Sequence, residues 1–279
     1  MIPLRDSEAT HRLTPINTIL ILANIAVFAL EAKLGRLAGP MLARYALVPA
    51  HIAHLRLAAP RQALATVTTF ITSTFLHAGI MHIAGNMLYL FIFGPAIEER
   101  LGAPRYLYFY FAAAITGGLA MVAMGPESRV PVIGASGAIA GILGAYFVIY
   151  PRGRITTILP LILFWPMVEI PAYFYLLFWF VAQLYAGIVS GAQGPTVGGV
   201  AFWAHVGGFL FGVAIGPILI HRSVPRRMRR SRTASRWLQN LCTNRTTERN
   251  RPKIASVAVN NLLALLWVAC GTGVNIWAI

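Results

Sequence analysis

Apolar residues in this chain gather into long runs separated by short polar breaks, without the strict alternation of a half-buried strand. A helix needs about 20 apolar residues to cross a bilayer, because each residue rises about 1.5 Å and every backbone polar group must be satisfied internally. That ruler predicts span 1 over Pro15 to Leu34, with Thr14 as a cap and Pro15 in the first turn. Span 2 is predicted from His77 to Ile97 and span 3 from Arg105 to Met124, and Pro131-Val132 lead into a span 4 ending near Tyr150. The stretch Ile155 to Ile188 exceeds one helix and is broken by Pro160, Pro166 and Pro171, so its first half reads as a surface or re-entrant segment. Span 5 follows over Ala172 to Ser190 and span 6 over Val200 to Ile220. Beyond a basic stretch, His221 to Lys253, the run Ile254 to Ile279 is a candidate seventh span. The gap from Gly35 to Phe75 reads as the one long loop, a kind that is often functional when ordered, and the length and the Pro and Ala content of Lys33 to Arg61 suggest a folded excursion.

Composition sharpens this picture. The 279 residues are 57% hydrophobic and only 11% charged, which excludes an ordinary soluble globular protein. The first apolar run is span-length, with no convincing cleavage site after it, and is expected to remain as an anchor. The formal charge is +15, and eleven Lys and Arg fall between Arg222 and Lys253. The positive-inside rule then places that segment, the N-terminus and the loop after span 4 in the cytoplasm, although the Lys33 to Arg61 loop carries five basic residues on the other side. The basic tail suits anchoring, contact with anionic lipid, a linker or a partner site. The expected organisation is a cytoplasmic 1–14, a six-span domain over 15–220, a basic linker over 221–253 and a span over 254–279. Asp6 is the only aspartate and two cysteines occur, Cys242 and Cys270. Paired-aspartate chemistry, a disulfide scaffold and a structural zinc site are not indicated.

Polar side chains inside spans are costly and by default functional. The candidates are His77, His82 and Asn86 in span 2, Ser136 in span 4, Gln183 in span 5 and His205 in span 6. Spans 2, 4 and 6 run in the same direction, and each carries its polar residues near its start, so the groups lie at similar depth. His82 and Asn86, four apart, share a helix face. Gly137, Ala140, Gly141, Gly144 and Ala145 form a small-residue face on span 4, and Ala201, Ala204, His205, Gly208 and Gly212 form one on span 6. Close packing of the two would bring Ser136 beside His205. Gln183 reads as an interhelical hydrogen bond, and a lone Ser or a small-residue seam has a purely structural reading as well.

His77-Ala-Gly-Ile-Met-His82-Ile-Ala-Gly-Asn86, Gly134-Ala-Ser136-Gly137, Ala204-His205-Val-Gly-Gly208 with Gly212, and Glu98-Glu-Arg100-Leu-Gly102 resemble, in order and spacing, the rhomboid family of intramembrane serine proteases. The resemblance covers about Pro15 to Ile220. It implies an all-α integral membrane protein with a six-helix bundle, Ser136 as nucleophile and His205 as general base and acid. His82 and Asn86 would complete an oxyanion hole with the Ser136 N–H. Glu98 and Arg100 would tie the cytoplasmic end together, and Gly137, Gly208 and Gly212 would support the packing. Two departures stand out: Gly35 to Phe75 lacks the family's frequent Trp-Arg pair, and the aromatic often found four residues after the nucleophile is replaced by Ala140.

The residues themselves favour a dyad, since no acidic side chain is placed beside His205 and serine needs only a base to become nucleophilic. The expected function is a serine endopeptidase that cuts membrane-anchored proteins within or near their transmembrane helix; the resemblance implies that this helix is partly unwound there, with small residues at the cut. Its partners would be transmembrane substrates and lipids, with no nucleic acid, metal or organic cofactor. A bacterial inner membrane is the expected location. A client-binding pseudoprotease of the same fold and a small transporter are the alternatives; a transporter would place its polar residues near mid-membrane rather than near one face.

Overall fold

The computed structural model describes residues 1–8, 14–55, 59–159, 165–193 and 201–221, and not the side chains of 36, 37, 191–193, 220 and 221. Two units divide the chain, Met1–Ser223 and Val224–Ile279. The basic linker, apart from its first residue, and the candidate seventh span lie outside the described residues.

After a strand β1 (Ile2–Asp6), helix α1 occupies Pro15–Leu34, the predicted first span. Its N-terminus is held differently from expectation. Thr14 makes no side-chain cap, and the carboxylate of Glu98, far along the chain, accepts the N–H groups of Ile16 at 3.1 Å and Asn17 at 2.7 Å. Pro15 has no N–H to offer, so these are the first donors that the helix presents. The predicted long loop is largely helical: short helices α2 (Gly39–Tyr45) and α3 (Pro49–Ala53) precede α4 (Pro60–Thr72), and a 3-10 turn covers Ser73–Phe75. Prolines in the first turns of α2, α3 and α4 mark these starts.

Helix α5 (Ile80–Leu101) begins three residues later than the predicted second span and ends four later, at Gly102. Gly102 has φ 78°, a left-handed conformation that suits glycine, and α6 (Ala103–Met124) follows at once. The fourth span is corrected more strongly. Helix α7 covers only Ser136–Ile149, and the residues before it form no helix. They run extended, with Leu47 and Val132 exchanging backbone hydrogen bonds of 3.1 and 2.7 Å.

The proline-broken stretch holds two strands, β2 (Arg154–Ile158) and β3 (Met167–Pro171), which with β1 make an antiparallel sheet in the order β1-β2-β3. The fold is therefore an all-α bundle with a small sheet added at one end. Helix α8 (Ala172–Gln193) and α9 (Phe202–His221) complete it. Among the described residues, five helices, α1, α5, α6, α8 and α9, are long and apolar enough to cross a membrane, and α7 is a shorter apolar helix. The chain is a multi-pass membrane protein.

The core lies where α7 is surrounded by α5, α6 and α9, and Ala138, Ala140, Ile142, Leu143, Ala145 and Tyr146 are fully buried there. Glycine makes the α7–α9 approach possible. A Cβ on Gly144 would collide with the Phe209 carbonyl, one on Gly208 with that of Gly137, and one on Gly212 with that of Gly141. Gly137 differs from the expected pattern: an added Cβ would meet Ala204 O at an ordinary 3.6 Å, so its carbonyl, not the absence of a side chain, shapes the seam.

Candidate active site

The N-terminal ends of α5, α7 and α9 meet at one end of the bundle. Ser136 is the first residue of α7, and at about 1.5 Å per residue this 14-residue helix measures about 21 Å, short of a hydrocarbon core of about 30 Å. A helix that reaches the far surface therefore leaves Ser136 below the near one. Leading into it, Gly134 has φ 114° and donates its N–H to Ser73 O at 2.9 Å, so this turn is fixed by the 3-10 segment. As first-turn groups, the N–H of Ser136 and its neighbours have no intrahelical partner, and they carry the positive end of the helix dipole.

Ser136 Oγ lies 2.7 Å from His205 Nε2, and His205 Nδ1 lies 2.7 Å from Gln183 Oε1. An amide oxygen can only accept, so Nδ1 carries the proton and Nε2 presents its lone pair to the serine hydroxyl. His205 is 1% exposed, whereas Ser136 is half-buried and accessible from one side. Trp179 lies 5.9 Å from the His205 ring and Phe202 meets that ring at 89°. Aromatic support for the imidazole thus comes from α8 and α9, and position 140 of α7 is a buried alanine.

His82 and Asn86 stand on the facing turns of α5. The N–H of Ala78 donates to His82 Nδ1 at 3.3 Å, which leaves the ring proton on Nε2. A Cβ added to Gly134 would lie 2.6 Å from that Nε2 and 3.5 Å from Asn86 Nδ2, so both nitrogens flank the backbone two residues ahead of Ser136. Asn86 is fully buried, yet neither of its amide atoms has a hydrogen-bond partner. Buried amides are paired in most structures, so one left open beside Gly134 is unusual. His77, expected at the start of the second span, precedes α5 and packs edge-on against His82 at 5.1 Å, its N–H donated to Glu31 Oε2. Glu31, near the end of α1, is thus a buried acceptor.

Gly208 and Gly212 lie on the α7–α9 seam below Ser136 and His205, as described. Glu98 and Arg100 lie at the other end of α5: Arg100 Nε donates to Tyr150 Oη at 2.7 Å with its guanidinium over the Tyr150 ring. The structure brings Ser136, His205, His82 and Asn86 together and keeps Glu98 and Arg100 apart from them. Gln183, expected to make an interhelical hydrogen bond, makes one from α8 to His205 on α9. Its buried polar group in span 5 was a visible signal, but a single sequence does not say which partner it meets.

A Rhomboid domain model matches residues 64–222, more than half of the chain. The chain belongs to the rhomboid family. Among rhomboid relatives, it is 30% identical over 175 residues to Rhomboid protein 1, mitochondrial, of Saccharomyces cerevisiae, covering 61% of this chain and 46% of that protein. It is 47% identical over 75 residues to Rhomboid protease GluP of Bacillus subtilis, covering 27% and 14%. The human presenilin-associated rhomboid-like protein, mitochondrial, is 33% identical over 151 residues, covering 51% and 35%. The chain spans less than half the length of each of these rhomboid proteins.

Proposed function

We propose that this rhomboid protein is an intramembrane serine endopeptidase that cleaves membrane-anchored proteins within or near their transmembrane helix, with Ser136 and His205 as a catalytic dyad. The observation that carries the reading is the 2.7 Å contact of Ser136 Oγ with a His205 whose other nitrogen already donates to an amide oxygen. Printed names of relatives, such as Rhomboid protease GluP, agree with it.

The chemistry follows from the tautomer. Ser136 Oγ attacks the scissile carbonyl carbon while His205 Nε2 takes the hydroxyl proton. The oxygen that becomes negative is met by the Ser136 N–H, His82 Nε2–H and Asn86 Nδ2, donors that stabilise it most in a site shielded from water. The C–N bond breaks, His205 returns the proton to the departing amine, and an acyl-Ser136 ester remains. Water, deprotonated by His205, hydrolyses that ester and restores the serine. Water is the only co-reactant that the atom balance requires. A helical substrate hides its carbonyls, so the scissile segment must unwind before it reaches Ser136.

Ser136→Ala and His205→Ala should both abolish cleavage of a transmembrane substrate reconstituted in liposomes, with both variants still folded. Activity retained at the wild-type rate in either would overturn the reading.

The proposal extends to orientation: the basic segment after α9 faces the cytoplasm of a bacterial inner membrane, with the N-terminus on the same side and the Ser136 pocket opening outward. Its support is the density of Lys and Arg. A cysteine at Arg229, in a background lacking Cys242 and Cys270, should resist an impermeant thiol reagent in intact cells, and ready labelling would invert the orientation.

A further inference from the structure

A dyad lacks the third group that ordinarily holds the base in one tautomer and one orientation. His205 nevertheless has a fixed partner. Gln183 is 2% exposed and stands on α8, and its Oε1 lies 2.7 Å from Nδ1. Trp179, one turn earlier on the same helix, lies 5.9 Å from the same ring with its plane tilted by 36°. Residues four apart share a helix face, so α8 presents an in-plane acceptor and an aromatic surface to one imidazole. Nothing on α7 does this, because the position one turn after Ser136 is Ala140.

We infer that Gln183 is the positioning residue of the general base: it holds His205 as the Nδ1–H tautomer, so that Nε2 is free to take the Ser136 proton. The inference rests on the dyad reading above. The physical logic is that of the acid in a serine triad, with one difference. A neutral amide oxygen accepts from Nδ1–H, fixing tautomer and ring angle, without placing a carboxylate in a low-dielectric bundle, where an unpaired charge is costly. The imidazolium formed during attack is then stabilised by a dipole and not by a full charge. Without the acceptor, the imidazole can also protonate at Nε2, and in that tautomer it cannot take the serine proton.

Two variants separate this role from packing. Gln183→Met keeps the length of the side chain and removes the acceptor; Gln183→Glu keeps an acceptor oxygen in the same place. For Gln183→Met we expect kcat for cleavage of a reconstituted transmembrane substrate to fall at least tenfold with KM unchanged, and fluorophosphonate labelling of Ser136 to slow by a similar factor. Gln183→Glu should recover most of both rates. Met and Glu variants that lose thermal stability equally while labelling at the wild-type rate would make Gln183 a structural residue and overturn the inference. Equal loss of kcat in both variants would overturn it too, since the acceptor would not be what matters. Should the wild-type protein itself show no labelling at Ser136, the dyad fails first, and this inference with it.

Discussion

The two ends of the bundle are built from the same helices and the same kinds of residue, yet they treat polar groups in opposite ways. At the Glu98 end, Glu98, Asn17, Arg100 and Asp6 are all matched, and the unpaired Asn24 Oδ1 and Tyr110 Oη lie further along α1 and α6. Glu98 takes two N–H groups of α1, Tyr106 donates to Asn17 at 2.7 Å, Asn17 donates to Leu90 O at 3.1 Å, Arg100 donates to Tyr150, and Tyr146 donates to Asp6 at 3.0 Å. At the Ser136 end, the amide of Asn86 and Nε2 of His77 are buried without partners. Burying a polar atom unpaired costs about 1–3 kcal/mol, so the protein is less stable at that end than its composition would allow. The contrast teaches that α5 and α7 use polar residues for cohesion at one end and leave them unpaired at the other, where the proposed dyad lies.

Breaking the matched end should cost stability and not chemistry. Glu98→Ala strips two backbone donors of a charged acceptor, and we expect a loss of about 2–4 kcal/mol in stability. Thermal unfolding in detergent would show it as a fall in Tm, with kcat of the remaining folded enzyme unchanged. A large loss of kcat at full stability would erase the division between the two ends.

Breaking the open end should do the reverse. Asn86→Ala removes one proposed oxyanion donor and leaves His82 and a backbone N–H, so kcat should fall roughly tenfold to a hundredfold, less than where a hole loses its principal donor. KM should change little, because the charge develops only after attack. Tm should hold or rise, since Asn86→Ala loses no hydrogen bond and removes a buried unpaired amide. Lowered Tm with unchanged turnover would return Asn86 to the packing residues.

The smallest effect concerns Asp6, at the matched end and outside the spans. Burial raises its carboxyl from 3.8 to about 6, against the opposing hydrogen bond from Tyr146. The folded state thus holds this proton more tightly than the unfolded chain does. Its contribution to stability is fully present below about pH 3.8 and is lost as pH rises through about 6. Relative to Asp6→Asn, the wild-type protein should therefore lose a few degrees of Tm between pH 4 and pH 7. Parallel Tm profiles for the two proteins would show that Asp6 titrates alike in both states.

These differences also explain what could be read from the sequence. Ser136, His205, His82 and Asn86 stood out because a polar side chain in an apolar span is conspicuous, and because helical spacing converts directly into a shared depth and face. The first span needed only its apolar length. Three features were not legible for physical reasons. The sheet joins Ile2–Asp6 to Arg154–Ile158, five-residue strands whose pairing across most of the chain no local period reports. The predicted fourth span starts ahead of α7 because Pro131 to Ala135 is apolar enough to resemble a helix, while its backbone is committed to Leu47 and Ser73. Capping of α1 by Glu98 and the pairing of Gln183 with His205 depend on contacts between distant segments, to which composition and spacing are blind.

Reactivity of one oxygen tests the central claim most directly. The full-length protein in native membranes, treated with a fluorophosphonate probe and digested, should carry a single adduct on the peptide containing Ser136. That adduct should be absent from Ser136→Ala and formed far more slowly in His205→Ala if the proposed dyad acts through the 2.7 Å contact between Oγ and Nε2. An unlabelled Ser136 in the wild-type protein, or labelling of His205→Ala at the wild-type rate, would contradict the account.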